Sequence, residues 1–179
     1  MNAYILAGGK NKRFGSNKAL IEIGAETIIE RIIDFISPFF NRIFIISKDP
    51  SEYEFLKIDV KEDIIPDSGP LGGIHTGLVY SNSFKSFFIA CDMPEVDNNL
   101  LKRMIIEAED NDVIVPKAGN NYEPLFAIYS KNCIKPIEQQ IKKGDLKVTN
   151  FYSLVKVKEI PAEKIFNINT PEELKEYTK

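Results

Sequence analysis

Residues 6–18 read Leu6-Ala7-Gly8-Gly9-Lys10-Asn11-Lys12-Arg13-Phe14-Gly15-Ser16-Asn17-Lys18. Glycines let a backbone approach an anion closely and turn its N–H groups onto phosphate oxygens. Arg13 offers a fork of donors and Lys18 a point charge. Together they can cradle a triphosphate. The loop contains neither GxxxxGK[ST] nor GxGxxG, so it is not a P-loop and a dinucleotide fingerprint is unsupported. The plain alternative is a solvated turn rich in Lys and Gly. It is weakened by the context, a strand-like run before the loop and an amphipathic stretch after it.

Three further segments carry groups that suit the same ligand. Asp92 follows the apolar run Phe87–Cys91, where a carboxylate can hold Mg²⁺ between triphosphate oxygens; otherwise it caps the next helix. Gly69-Pro70-Leu71-Gly72-Gly73 reads as a rigid turn whose main chain can frame a purine, or as one that packs Ile74 and Leu78 onto a sheet. Asn167 and Asn169 can offer an amide oxygen to a metal or an amide N–H to a phosphate; turns also favour Asn on their own account. His75 is the sole histidine and pairs with no nucleophile, so a structural or solvated role is expected. Cys91 reads as a small buried hydrophobe.

These segments need strands and helices to bring them together. Tyr4–Ala7, Ile43–Ser47, Phe87–Cys91 and Val113–Pro116 are apolar almost without alternation, as strands covered on both faces are. Thr27–Ile36 and Leu100–Ala108 carry apolar residues at helical spacing. After Gly119 the pattern loosens, with a strand expected at Leu125–Tyr129 and helices at Asn132–Lys142 and Leu146–Val155. Ser51–Glu54 and Thr170–Glu173 have capping-box spacing. The alternation predicts right-handed βαβ units in one α/β domain spanning residues 1–179, with a mainly parallel sheet and the loops above at its carboxyl edge.

Composition limits the partners. The 179 residues carry a net charge of −3, which argues against general nucleic-acid binding. The two cysteines lack CxxC spacing, so neither a disulfide framework nor a zinc site is expected. The start of the chain does not read as a signal peptide, and no apolar run is long enough to span a bilayer. A cytoplasmic protein without membrane or nucleic-acid partners is the expectation.

The pattern LAGGxxxRxGxxKAL resembles the signature of molybdenum cofactor guanylyltransferases, within the wider glycosyltransferase-A-like nucleotidyltransferases. Gly69–Ile74, Cys91-Asp92-Met93-Pro94 and Asn167–Glu172 are similar to that family's later motifs, in order. The resemblance implies a Rossmann-like three-layer sandwich. It implies transfer of GMP from GTP to the terminal phosphate of molybdopterin, with Mg²⁺ as cofactor and pyrophosphate as product. It casts Arg13, Lys18 and Asp92 as catalytic and Asp92 and Asn169 as metal ligands. It sets Leu6, Ala7, Gly8, Gly9, Gly15, Lys18, Asp63, Gly69, Pro70, Leu71, Gly73, Asn167 and Asn169 on the nucleotide. Tyr122-Glu123-Pro124-Leu125 resembles a segment on the acceptor side. Transient contact with proteins that deliver molybdopterin or mature molybdoenzymes is allowed by the same likeness. Asn17, Phe14 and Gly72 stand where relatives often have Asp, Met and Ala. The rivals are a cytidylyltransferase on the same pterin, a sugar-phosphate nucleotidyltransferase, and a non-catalytic nucleotide-binding module. Leu-Ala-Gly-Gly leans toward guanylyl transfer, since cytidylyl relatives often read Leu-Ala-Ala-Gly.

Overall fold

The computed structural model describes residues 1–8, 17–95, 97–163, 165, 167–168 and 170–177. Ten strands are present: β1 (Asn2–Leu6), β2 (Glu22–Ile23), β3 (Glu26–Thr27), β4 (Ile43–Ile46), β5 (Asp59–Lys61), β6 (Lys85–Ala90), β7 (Val113–Ala118), β8 (Asn121–Tyr122), β9 (Phe126–Ser130) and β10 (Val157–Pro161). The helices are α1 (Ile28–Ile36), α2 (Gly69–Tyr80), α3 (Asn98–Ile106), α4 (Ile134–Lys142) and α5 (Pro171–Tyr177). The main sheet runs β10-β7-β9-β6-β1-β4-β5, with β8 hairpinned onto β7, while β2 and β3 form a separate ribbon.

Side-chain alternation builds two cores. Ala3 and Ile5 of β1 face one way and pack with the buried stripe Ile28, Ile29, Ile32 and Ile36 of α1 and with Leu100, Leu101 and Met104 of α3. Tyr4 and Leu6 face the other way, toward Leu71, Ile74 and Leu78 of α2 and Ile137 of α4. The result is the expected three layers. Tyr4 stacks between Phe44 and Phe88 at 5.1 and 5.2 Å, which ties three neighbouring strands on that face.

The sheet is mixed, though mostly parallel. β1 pairs with β4 and β6, β4 with β5, and β7 with β10 in parallel; β9 runs antiparallel to both β6 and β7. Only residues 119–125 separate β7 from β9, too few for the crossover that a parallel pairing needs. Gly119, at φ +59, makes the reversal into β8.

Two local expectations are corrected and one, the helix near residues 146–155, is narrowed. Residues 69–73 are the first turn of α2 and not a free turn; burial of Leu71, Ile74 and Leu78 overrides the weak helix propensity of Gly and Pro. Ser51 does not cap with Glu54. Asp49 caps a 3₁₀ helix at Pro50–Leu56, accepting from the Ser51 N–H at 3.1 Å and its hydroxyl at 2.6 Å. Residues 148–154 are 3₁₀ and not α. The cap at Thr170–Glu173 forms as expected, each side chain accepting from the other's N–H at 3.1 and 3.0 Å. No helix among the described residues is long and apolar enough to cross a membrane.

Candidate active site

β1 and β6 are adjacent and parallel, with Leu6 opposite Ala90. Their carboxyl ends therefore emerge side by side. The Ala7 N–H donates to the Ile46 carbonyl at 2.9 Å and the Cys91 N–H to the Leu6 carbonyl at 3.2 Å, which fixes Gly8 and Asp92 as neighbours. Between them lies a hollow of about 140 Å³ lined by Leu6, Gly8, Lys18, Pro70, Ala90, Cys91, Asp92 and Leu125. Gly9, Arg13 and Gly15, expected on this loop, lie outside the described residues, as does Asn169.

Lys18 opens a 3₁₀ turn, Lys18–Leu20. Asn17 caps it by accepting from the Ala19 N–H at 3.1 Å, while its Nδ2 donates to Glu52 Oε2 and Tyr53 Oη, both at 2.8 Å. The amide suits that position better than a carboxylate would, because a carboxylate would face Glu52. Held this way, Lys18 sends its Nζ to within 3.3 Å of Asp92 Oδ2, with side-chain exposures of only 10% and 22%. Two of the three expected catalytic residues thus meet in one hollow.

The amino end of α2 forms another wall. Its N-cap, Ser68, makes no side-chain capping bond, and Pro70, which carries no N–H, reaches the hollow. Leu71 is fully buried in the core, side chain and main chain alike, and does not line the hollow. Gly73 packs under the end of β1: a Cβ there would lie 2.9 Å from Leu6 Cδ2.

Asp63 sits between the two glycine segments. A Cβ on Gly8 would fall 4.0 Å from its Oδ2, and one on Gly73 would fall 3.8 Å from its Oδ1. That Oδ1 is buried and has no hydrogen-bond partner. Burial raises the Asp63 pKa, with Lys48 pulling weakly the other way. A buried carboxylate oxygen lacking a donor is unusual and invites one from a ligand.

The chain's last segment closes the site. The Ile168 N–H donates to the Asp92 carbonyl at 2.8 Å, and Asn167 Nδ2 donates to Glu123 Oε2 at 3.2 Å. The main chain beside Asn167 is therefore tied to Asp92. The motifs place Glu123 only within the acceptor-side segment Tyr122–Leu125, with no role of its own; burial raises its pKa, the Asn167 hydrogen bond works against that rise, and the nearby charge of Asp92 adds to it. Next to it, Asn120, Asn121, Tyr122, Pro124, Leu125, Lys147, Val148 and Thr149 line a second hollow of about 340 Å³. Leu125 is common to both.

The remaining candidates are structural. His75 is buried, with Nε2 3.1 Å from Glu138 Oε1. Burial, then the Asp92 charge, pushes the Cys91 thiol up to about 12, so it supplies no thiolate at neutral pH. Among the described residues no three His, Cys, Asp or Glu side chains cluster as a ready-made metal cage.

Comparison with known proteins fits this arrangement. Residues 3–157 match the model of the MobA-like NTP transferase domain. A protein of Pelotomaculum thermopropionicum named probable molybdenum cofactor guanylyltransferase is 37% identical, over 95% of this chain and 88% of its own. The molybdenum cofactor guanylyltransferase of Desulfosudis oleivorans is 32% identical over 97% and 92%. Among solved structures, the molybdopterin-guanine dinucleotide biosynthesis protein A of Archaeoglobus fulgidus superposes with a TM-score of 0.83 at 27% identity, covering 98% of this chain and 96% of that one.

Proposed function

Since the chain belongs to the MobA-like NTP transferase domain family, we propose that it transfers GMP from GTP to the terminal phosphate of molybdopterin, in the cytoplasm. The observation that carries the reading is the pairing of Lys18 with Asp92 in a hollow between two parallel strand ends, at the open amino end of α2. A cation and an acid in one hollow, beside the amino end of a helix, suit a metal-bound polyphosphate.

In this reading the triphosphate lies over Gly8 and Gly9, with Lys18 and Arg13 neutralising it. Asp63 takes a donor from the base beside Gly73 and the Gly69–Leu71 turn. The pterin enters through the second hollow, past Tyr122 and Leu125. A phosphate oxygen of the pterin attacks the α-phosphorus in line. The bond to the β-phosphate oxygen breaks and pyrophosphate leaves. The attacking phosphate is already ionised near neutral pH, so no general base is required. The residues contribute position and charge.

Mg²⁺ fits the residues present. Asp92 already holds a cation, the Lys18 ammonium, and one carboxylate with phosphate oxygens and water is the usual Mg²⁺ environment. Asp92 would hold the ion, with Asn167 or Asn169 adjoining. Bound there, it would supply Lewis-acid neutralisation of the leaving pyrophosphate.

The test is calorimetric titration with GTP, ATP and CTP, each with and without Mg²⁺, followed by a pyrophosphate-release assay with molybdopterin. GTP-selective binding and molybdopterin-dependent release are expected. Preference for CTP, or binding without release, would overturn the guanylyl reading.

A further inference from the structure

We propose that Glu123 is a positioning residue for the transfer: its carboxylate fixes the Asn167 side-chain amide in one orientation, and so determines which end of that amide is offered beside Asp92. The inference rests on the reading of Asn167 as a group that faces the nucleotide or its metal.

An amide has two chemically opposite ends, a donor and an acceptor, of nearly equal size. A carboxylate accepts only. The bond from Asn167 Nδ2 to Glu123 Oε2 therefore commits the NH₂ to Glu123 and turns the carbonyl oxygen elsewhere. Glu123 can impose this choice because it is itself held. Its N–H donates to the Pro116 carbonyl at 2.9 Å and its carbonyl accepts from the Phe126 N–H at 3.2 Å. Two residues on, the Leu125 carbonyl accepts from the Ala90 N–H at 2.8 Å, which ties this segment to the strand that ends near Asp92. Asn167 is joined to the same place through the Ile168 N–H on the Asp92 carbonyl. Three distant stretches of chain thus converge through main-chain bonds, with the Glu123–Asn167 contact between side chains.

Glu123 is also an expensive choice for mere packing. Burial opposes its ionisation and so does the Asp92 charge, with the Asn167 hydrogen bond working the other way. A side chain needed only to fill that space would be apolar. What a carboxylate adds is an acceptor that cannot turn into a donor.

The test is a double-mutant cycle on the full chain with GTP, Mg²⁺ and molybdopterin. Kcat, KM for GTP, the Mg²⁺ affinity of the GTP-bound protein by calorimetry, and the melting temperature are all read. E123A and N167A should each lower kcat/KM by about 10- to 100-fold, as loss of a partner that orients a ligand does. E123A should weaken Mg²⁺ binding in the same proportion. The double variant should be no worse than either single one. E123Q, whose amide oxygen still accepts, should recover most of the loss. Multiplicative losses in the double variant, an E123Q as impaired as E123A, or an E123A that lowers only the melting temperature would each overturn the proposal. A fully active N167A would overturn it differently, by removing the role of Asn167 itself.

Discussion

The two sides of the sheet's carboxyl edge each present a lysine paired with an acid, and the pairs differ in setting. Beside Gly8, Lys18 meets Asp92 at 3.3 Å with both side chains largely withdrawn from solvent. Beside Tyr122, Lys117 meets Glu159 at 2.9 Å, with 27% and 45% of the side chains exposed, and the Tyr122 hydroxyl also donates to that carboxylate. The Tyr122 hydroxyl, then Lys117, holds the Glu159 pKa below its usual value. By distance alone the second pair is the better bond. By environment the first matters more, because water screens the second pair more than the first. A short ion pair on a surface marks geometry; a longer one in a hollow marks a site.

Substitutions can break or sharpen that contrast. Asp92→Ala is expected to have the largest effect, a loss of kcat on the order of 10³-fold in saturating Mg²⁺, since several kcal/mol of Lewis-acid stabilisation depend on it. Wild-type turnover by that variant would end the comparison. Lys18→Met should cost about 10²-fold in kcat/KM for GTP, as loss of a preorganised charge does, with its larger share in KM.

Asp63→Asn separates binding from stability. The raised pKa of Asp63 means that the folded state holds this proton more tightly than the unfolded chain. Its ionisation therefore weakens the fold as pH rises through the carboxylate range. The variant should melt higher than the wild type at pH 7, the two should converge below about pH 4, where both states are protonated, and GTP binding should weaken. An unchanged affinity for GTP would remove Asp63 from the site. The smallest effect is expected for Glu159→Ala, which should leave the melting temperature and the KM for GTP unchanged. A fall in either would show that the exposed pair does more than its surroundings suggest.

What could be read from sequence follows the range of the interaction concerned. The strands around Ile5, Ile45 and Ile89 and the cap at Thr170–Glu173 depend on residues within a turn or two, and they stand where periodicity put them. Asp92 and Lys18 were legible as types at strand ends, although their contact spans 74 positions. The contacts of Asn17 with Tyr53 and of Glu123 with Asn167 join distant segments through side chains, and no local pattern announces them. Gly69–Gly73 misled because glycine and proline look like a turn until the hydrophobic face beyond them is buried. Ser51 misled because Asp49 and Pro50 form a better start two residues earlier.

The Lys18–Asp92 contact has a thermodynamic consequence for ligand entry. With the ammonium already on the carboxylate, the Lys18–Asp92 pair is neutral as a unit, and it would offer a bare divalent ion or a bare triphosphate only what either can win from that pair. In the proposed reading, a nucleotide arriving with its metal would exchange partners: the ammonium would pass to phosphate oxygens and the carboxylate to the divalent ion, and no charge would be stranded. Free metal and free nucleotide would then be coupled ligands, each raising the other's affinity by the same factor. The contact that looks like a lock would act as a demand that both arrive together.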